Sequence, residues 1–147
     1  MVTNGKKLIF IFGMGSMGKT TLAQELLKVL PEAKVFELDK HFWLNKELNR
    51  LFEIYQKNIY KATIDNFEFV GSIFKEIIKQ EVLLDYSYFI FEGFSLYTIQ
   101  DYIYKISEFP IFIFSAVNNK NYEVLYEGKI IENEEKIKAI LNIVGQK

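Results

Sequence analysis

The chain has 147 residues, half of them hydrophobic, which is one domain's length with enough apolar material for a single sizeable core. Its 18 basic and 19 acidic side chains leave a net charge of −1, so nothing in the overall charge points to nucleic acid or anionic lipid as a partner. Cysteine is absent and histidine occurs once, at His41, which excludes a disulfide framework, a thiolate metal site and an imidazole zinc site.

The N-terminal stretch passes through Lys6 and Lys7 into a strand-length run with no signal-peptide cleavage pattern. No apolar run approaches the roughly 20 residues of a membrane span, so a soluble, cytoplasmic protein without a membrane partner is expected. Lys7 to Phe12 (KLIFIF) is continuous, β-branched and aromatic, and ends at Gly13, as a central parallel strand buried on both faces does. Leu22, Ala23, Leu26, Leu27 and Leu30 then recur at helical spacing, and Pro31 follows where a helix stops. Ala33 to Leu38 reads as a second strand. Leu48, Leu51, Phe52, Tyr55 and Ile59 mark one face of a helix, and a further helix runs from about Asn66 to Lys79. Tyr88 to Phe91 is a third strand, followed by a helix striped by Leu96, Ile99, Ile103 and Ile106. Ile111 to Val117 is the fourth strand. Tyr122 to Tyr126 alternates as a fifth, unless YEVLYEGKII folds into a hairpin around Glu127-Gly128. Asn133 is placed to cap a last helix reaching Val144, with Glu134 and Glu135 in its first turn. Strands alternating with helices predict a single α/β domain over residues 1–147, a mostly parallel sheet of about five strands with helices on both faces.

The chemistry concentrates between the first strand and the first helix. Gly13-Met14-Gly15-Ser16-Met17-Gly18-Lys19-Thr20 satisfies the Walker A pattern of glycine, four residues, then Gly-Lys-Thr. Three glycines let backbone amides turn inward around a phosphate, and the helix start adds partial positive charge. Lys19 can reach the β- and γ-phosphates of a nucleoside triphosphate and the Thr20 hydroxyl can ligate Mg²⁺, with Thr21 next in the helix. The segment from Gly13 to Thr21 therefore predicts ATP binding with Mg²⁺ and a P-loop NTPase fold. A GTPase would follow a late strand with Asn-Lys-x-Asp, whereas here Asn119-Lys120-Asn121 is followed by Tyr122, which cannot accept the guanine protons.

Read together, GMGSMGKTTLAQELL, FELDKHFW, NFEFVGSIFKEIIKQ and YFIFEGFSLYTIQDYI leading into FPIFIF resemble the uridine kinase and nicotinamide riboside kinase group of small P-loop kinases. The glycine loop is also similar to that of NB-ARC signalling ATPases, but those carry paired acids where this chain has Phe91-Glu92-Gly93. The kinase resemblance implies that Asp39 faces the acceptor hydroxyl as a catalytic residue beside Lys19, and that Glu92-Gly93 helps hold Mg²⁺. It departs at Lys40, where the group has a second acid. Independently of the resemblance, the Gly13 loop, Asp39 and Glu92 all fall at C-terminal ends of predicted strands, where open α/β sheets bind ligands. Phe42 and Trp43 are candidates to stack on a planar base.

Kinases of this group carry an arginine-rich lid after strand four. Here Val117 runs through Asn118 to Asn121 straight into YEVLYEG, and the chain's one arginine, Arg50, lies between strands two and three. The expected function is ATP-dependent transfer of the γ-phosphate to a small-molecule, nucleoside-like hydroxyl without a lid, with no nucleic-acid partner. The alternative is a nucleotide-binding regulatory protein or slow NTPase that has lost efficient transfer, and oligomerisation stays open.

Overall fold

The structure is a computed structural model that describes residues 6–13, 19–93, 109–118, 123–131 and 136–145. Six strands form one mixed sheet: β1 (Lys7–Phe12), β2 (Ala33–Glu37), β3 (Tyr88–Glu92), β4 (Ile111–Asn118), β5 (Glu123–Tyr126) and β6 (Lys129–Ile131), in the spatial order β2-β3-β1-β4-β5-β6. The first four are parallel, with β1 between β3 and β4. The described helices are α1 (Lys19–Val29), α2 (His41–Leu44), α3 (Lys46–Ile54), α4 (Ile59–Asp65), α5 (Phe67–Glu81) and α6 (Lys136–Gly145).

A central strand must bury both of its faces, and β1 does so by alternation. Leu8, Phe10 and Phe12 join a core with Phe36, Phe89, Phe91, Phe74 and Ile78, under α3, α4 and α5. Ile9 and Ile11 join the opposite core with Ile90, Phe114, Leu22, Leu26, Ile140 and Val144, under α1 and α6. Parallel register sets Phe36 beside Phe91 and Phe91 beside Phe10, and their rings stack at centroid separations of 5.0 and 5.2 Å. Such pairs contribute about 0.5–1.5 kcal/mol each beyond area burial, so this ladder helps pin the register of three strands. The far end of α5 is held by Lys6, whose ammonium donates to the carbonyls of Val82 (2.8 Å) and Leu84 (3.1 Å) while lying over the Phe89 and Phe109 rings.

Two expectations are corrected. The sheet has six strands rather than about five, because the YEVLYEGKII segment is a hairpin: β5 runs antiparallel to β4, and β6 antiparallel to β5. Glu127 (φ 49°) and Gly128 (φ 80°) form its two-residue turn, and positive φ at both positions supplies the twist that two-residue hairpins need. The single helix expected from the stripe Leu48 to Ile59 is two helices. Gln56 (φ 54°) and Lys57 (φ 66°) enter the left-handed region after α3, and the Asn58 side chain then accepts from the Lys61 amide to start α4. The helix striped by Leu96 to Ile106, and the cap at Asn133 with Glu134 and Glu135, lie outside the described residues. No helix among the described residues is long and apolar enough to cross a membrane.

Candidate functional site

Alternation along β3 determines which side its last residue faces. Phe89 and Phe91 belong to the core under α5 and Ile90 to the core under α1, so Glu92 follows Ile90 toward α1. The first turn of α1 carries Lys19 and Thr20. Glu92 is only 4% exposed, and the nearby Thr20 hydroxyl favours its charged carboxylate.

Burial pushes the Glu92 carboxyl up to about 7, and the charges of Glu37 and Asp39 push in the same direction. The Lys19 ammonium and the Thr20 hydroxyl act against this rise without cancelling it. Sheet register explains the contribution of Glu37, which ends β2 directly opposite Glu92. Glu37 was not singled out from sequence; its signal is FELD, which carries two acids around the end of a strand.

Two glycines permit the close approaches. A β-carbon on Gly13 would lie 3.2 Å from both the Cβ and the carbonyl oxygen of Ala116 and 3.6 Å from the Lys19 Cδ, so Gly13 sits between β4 and the stem of Lys19. A β-carbon on Gly93 would lie 2.9 Å from the Asp39 Oδ1. The Asp39 carboxylate therefore packs against the backbone next to Glu92. Asp39 itself lies in the 3₁₀ turn Leu38–Lys40 that leaves β2.

Of the residues expected at the site, Gly13, Lys19, Thr20, Asp39 and Glu92 meet at the C-terminal edge of the parallel strands. Thr21 is exposed on α1, and Met14, Gly15, Ser16, Met17 and Gly18 lie outside the described residues, as does Lys120. Phe42 is no base-stacking surface: it is fully buried and packs against Phe52 and Phe74. Trp43 stays half-exposed against Phe52. His41 is half-buried, and desolvation with the neighbouring Lys40 charge lowers its pKa, against an opposing effect of Glu81. Asn66 does not cap α5 with its side chain; its amide donates instead to the Tyr55 hydroxyl and the Ala62 carbonyl.

The site thus joins a lysine and a threonine at a helix start to a buried carboxylate, with a second carboxylate alongside. Such a set can bind an anion on the helix side and offers hard oxygen donors to a cation on the carboxylate side. No protein-family model matches the chain, and no curated protein matches it. Among solved structures, a chain of the Pnkp1/Rnl/Hen1 RNA repair complex is similar at 14% identity and a TM-score of 0.45, over 78% of this chain. The alignment covers 34% of that chain, so the present chain spans about a third of its length.

Proposed function

We propose that the chain is a P-loop phosphotransferase that moves the γ-phosphate of ATP to the hydroxyl of a small, nucleoside-like acceptor. The observation that carries this reading is that Lys19 and Thr20, the last two residues of the Walker A pattern, both act on the buried Glu92 carboxylate. A glycine-rich turn that merely joined strand to helix would have no need of a buried acid on its lysine and threonine.

In this reading the Walker A segment Gly13 to Thr21 binds the phosphates and Lys19 neutralises the β- and γ-phosphate oxygens. Thr20 and Glu92 would hold Mg²⁺, a cation that takes one or two protein oxygens and keeps the rest of its shell from phosphate and water. When bound, the cation supplies charge neutralisation at the phosphate oxygens. Asp39 orients the acceptor hydroxyl and takes its proton as the oxygen–phosphorus bond forms and the bond to the β-phosphate oxygen breaks. The identity of the nucleotide and the nucleoside character of the acceptor rest on the sequence resemblance.

A second reading, a nucleotide-binding regulatory protein or slow NTPase, is favoured by one feature. Residues 119–122 alone separate β4 from its antiparallel neighbour β5, where the resembled kinases place their lid. The test is incubation with γ-labelled ATP, Mg²⁺ and a panel of nucleosides, beside calorimetry with the unlabelled nucleotide. Transfer of label to a nucleoside, lost in Lys19→Ala, supports the kinase. Label appearing only as free phosphate supports the NTPase, and binding without turnover the regulatory protein. A folded wild type that binds no nucleotide removes both readings.

A further inference from the structure

Outside this site, α3 presents a face of a different character. Glu47, Arg50, Leu51 and Ile54 recur at i, i+3, i+4 and i+7, the spacing of one helical stripe. With Asn66 and Phe69 they line a groove of about 520 Å³ between α3 and the start of α5. Ile54 is 67% exposed and Phe69 41% exposed, so the groove leaves large apolar side chains open to water. The helix bearing the stripe is held in place: the Asn45 side chain accepts from the Glu47 and Leu48 amides, and the Asn49 amide donates to the Phe42 carbonyl. Glu47 and Arg50 are neighbours of opposite charge on the stripe, and neither forms an ion pair among the described residues, where Lys61 and Asp65 do.

We propose that this face is a homodimer interface in which two copies of α3 pack antiparallel about a two-fold axis, each Glu47 opposite the other copy's Arg50. Charge complementarity selects a second copy as the occupant. A partner must present an apolar stripe with an acid and a base in reversed order, and an antiparallel copy of α3 presents them by symmetry. An axis crossing between Leu48 and Asn49 pairs both charges at once, because residues 47 and 50 are equidistant from it. That register carries each Ile54 toward the start of the other copy's α3, where Trp43 (54%) and Leu44 (65%) are the exposed apolar side chains. A net charge of −1 per chain puts little overall repulsion between the copies. A stable dimer buries about 800 Å² on each partner, so the stripe is the centre of the contact, with exposed Leu44 and Phe67 extending the apolar surface beside it.

The test is sedimentation velocity on the full chain over the micromolar range, with circular dichroism to verify folding. Wild type is expected to show a concentration-dependent monomer–dimer equilibrium. Arg50→Glu and Glu47→Arg are each expected to weaken it by about tenfold or more, since each sets like charges face to face. Mixing the two single variants is expected to restore dimers as heterodimers, because one chain then carries two bases and the other two acids on the stripe. A wild type that stays monomeric throughout the range, dimers indifferent to both reversals, or a mixture that remains monomeric would each overturn the proposal.

Discussion

Glu92 holds an unfavourable position for an acid, and its titration makes a measurable consequence. Its folded pKa of about 7 lies above the ordinary 4.5, so between those values the folded protein binds a proton that the unfolded chain releases. Stability from this group is complete below pH 4.5 and is lost as pH rises through 7. At roughly 1.4 kcal/mol per pK unit, the nucleotide-free wild type should lose about 3 kcal/mol relative to Glu92→Gln between pH 4 and pH 8. Urea unfolding of both proteins across that range checks it, and parallel stability curves would show that Glu92 is not desolvated as described. Gly93 makes a separate residue-scale prediction. A β-carbon at 2.9 Å from the Asp39 Oδ1 forces that carboxylate aside, so under the proposed function Gly93→Ala should slow phosphate transfer by roughly tenfold to a hundredfold while leaving nucleotide affinity nearly unchanged. Transfer at the wild-type rate would remove Asp39 from the acceptor's side of the site.

At the scale of elements, the segment between β2 and α5 replaces one expected helix by a chain of short ones with explicit boundaries. Asn45 starts α3 by accepting from two amides at 3.0 Å each, and Asn45→Ala should cost about 1 kcal/mol in thermal or urea unfolding. A loss below a few tenths would mean that packing of Leu48 and Phe52, rather than the cap, determines where α3 begins. Apolar periodicity alone ran α3 and α4 together, because Leu48, Leu51, Phe52, Tyr55 and Ile59 fit one stripe. The break lies in the backbone of Gln56 and Lys57, residue types that carry no helix-stop signal and are held at positive φ by the chain on either side. By contrast Glu127-Gly128 was readable as a turn, since glycine tolerates positive φ without strain.

For the molecule as a whole, the hairpin connection at residues 119–122 bears on what reaches the proposed phosphate site. β5 returns immediately along β4, so this connection supplies no long segment to fold over the Lys19–Glu92 edge. Closure normally excludes water and completes the charge-stabilising shell, so under the proposed kinase function transfer is expected to be slow and accompanied by ATP hydrolysis. The ratio of phosphorylated acceptor to free phosphate at saturating acceptor measures this. Tightly coupled, fast transfer would mean that another part of the protein covers the phosphates.

The amino-acid sequence by itself determined β1, α1, α5, β3 and β4 nearly residue for residue, because strands buried on both faces must be continuously apolar and α1 and α5 must repeat their apolar stripe. It also brought Gly13, Lys19, Thr20, Asp39 and Glu92 to one sheet edge, since parallel strands joined by helices place all their C-terminal ends together. What only the tertiary structure decided is how those groups act on one another. That Glu92 is buried within reach of Lys19 and Thr20, that Glu37 raises its pKa across the β2–β3 register, and that Asp39 rests on Gly93 depend on strand order and on distances between segments remote in sequence. The assignment of Phe42 to the core rather than to a ligand surface depends on the same thing, because an aromatic side chain has one composition in either role and only its neighbours, Phe52 and Phe74, distinguish them.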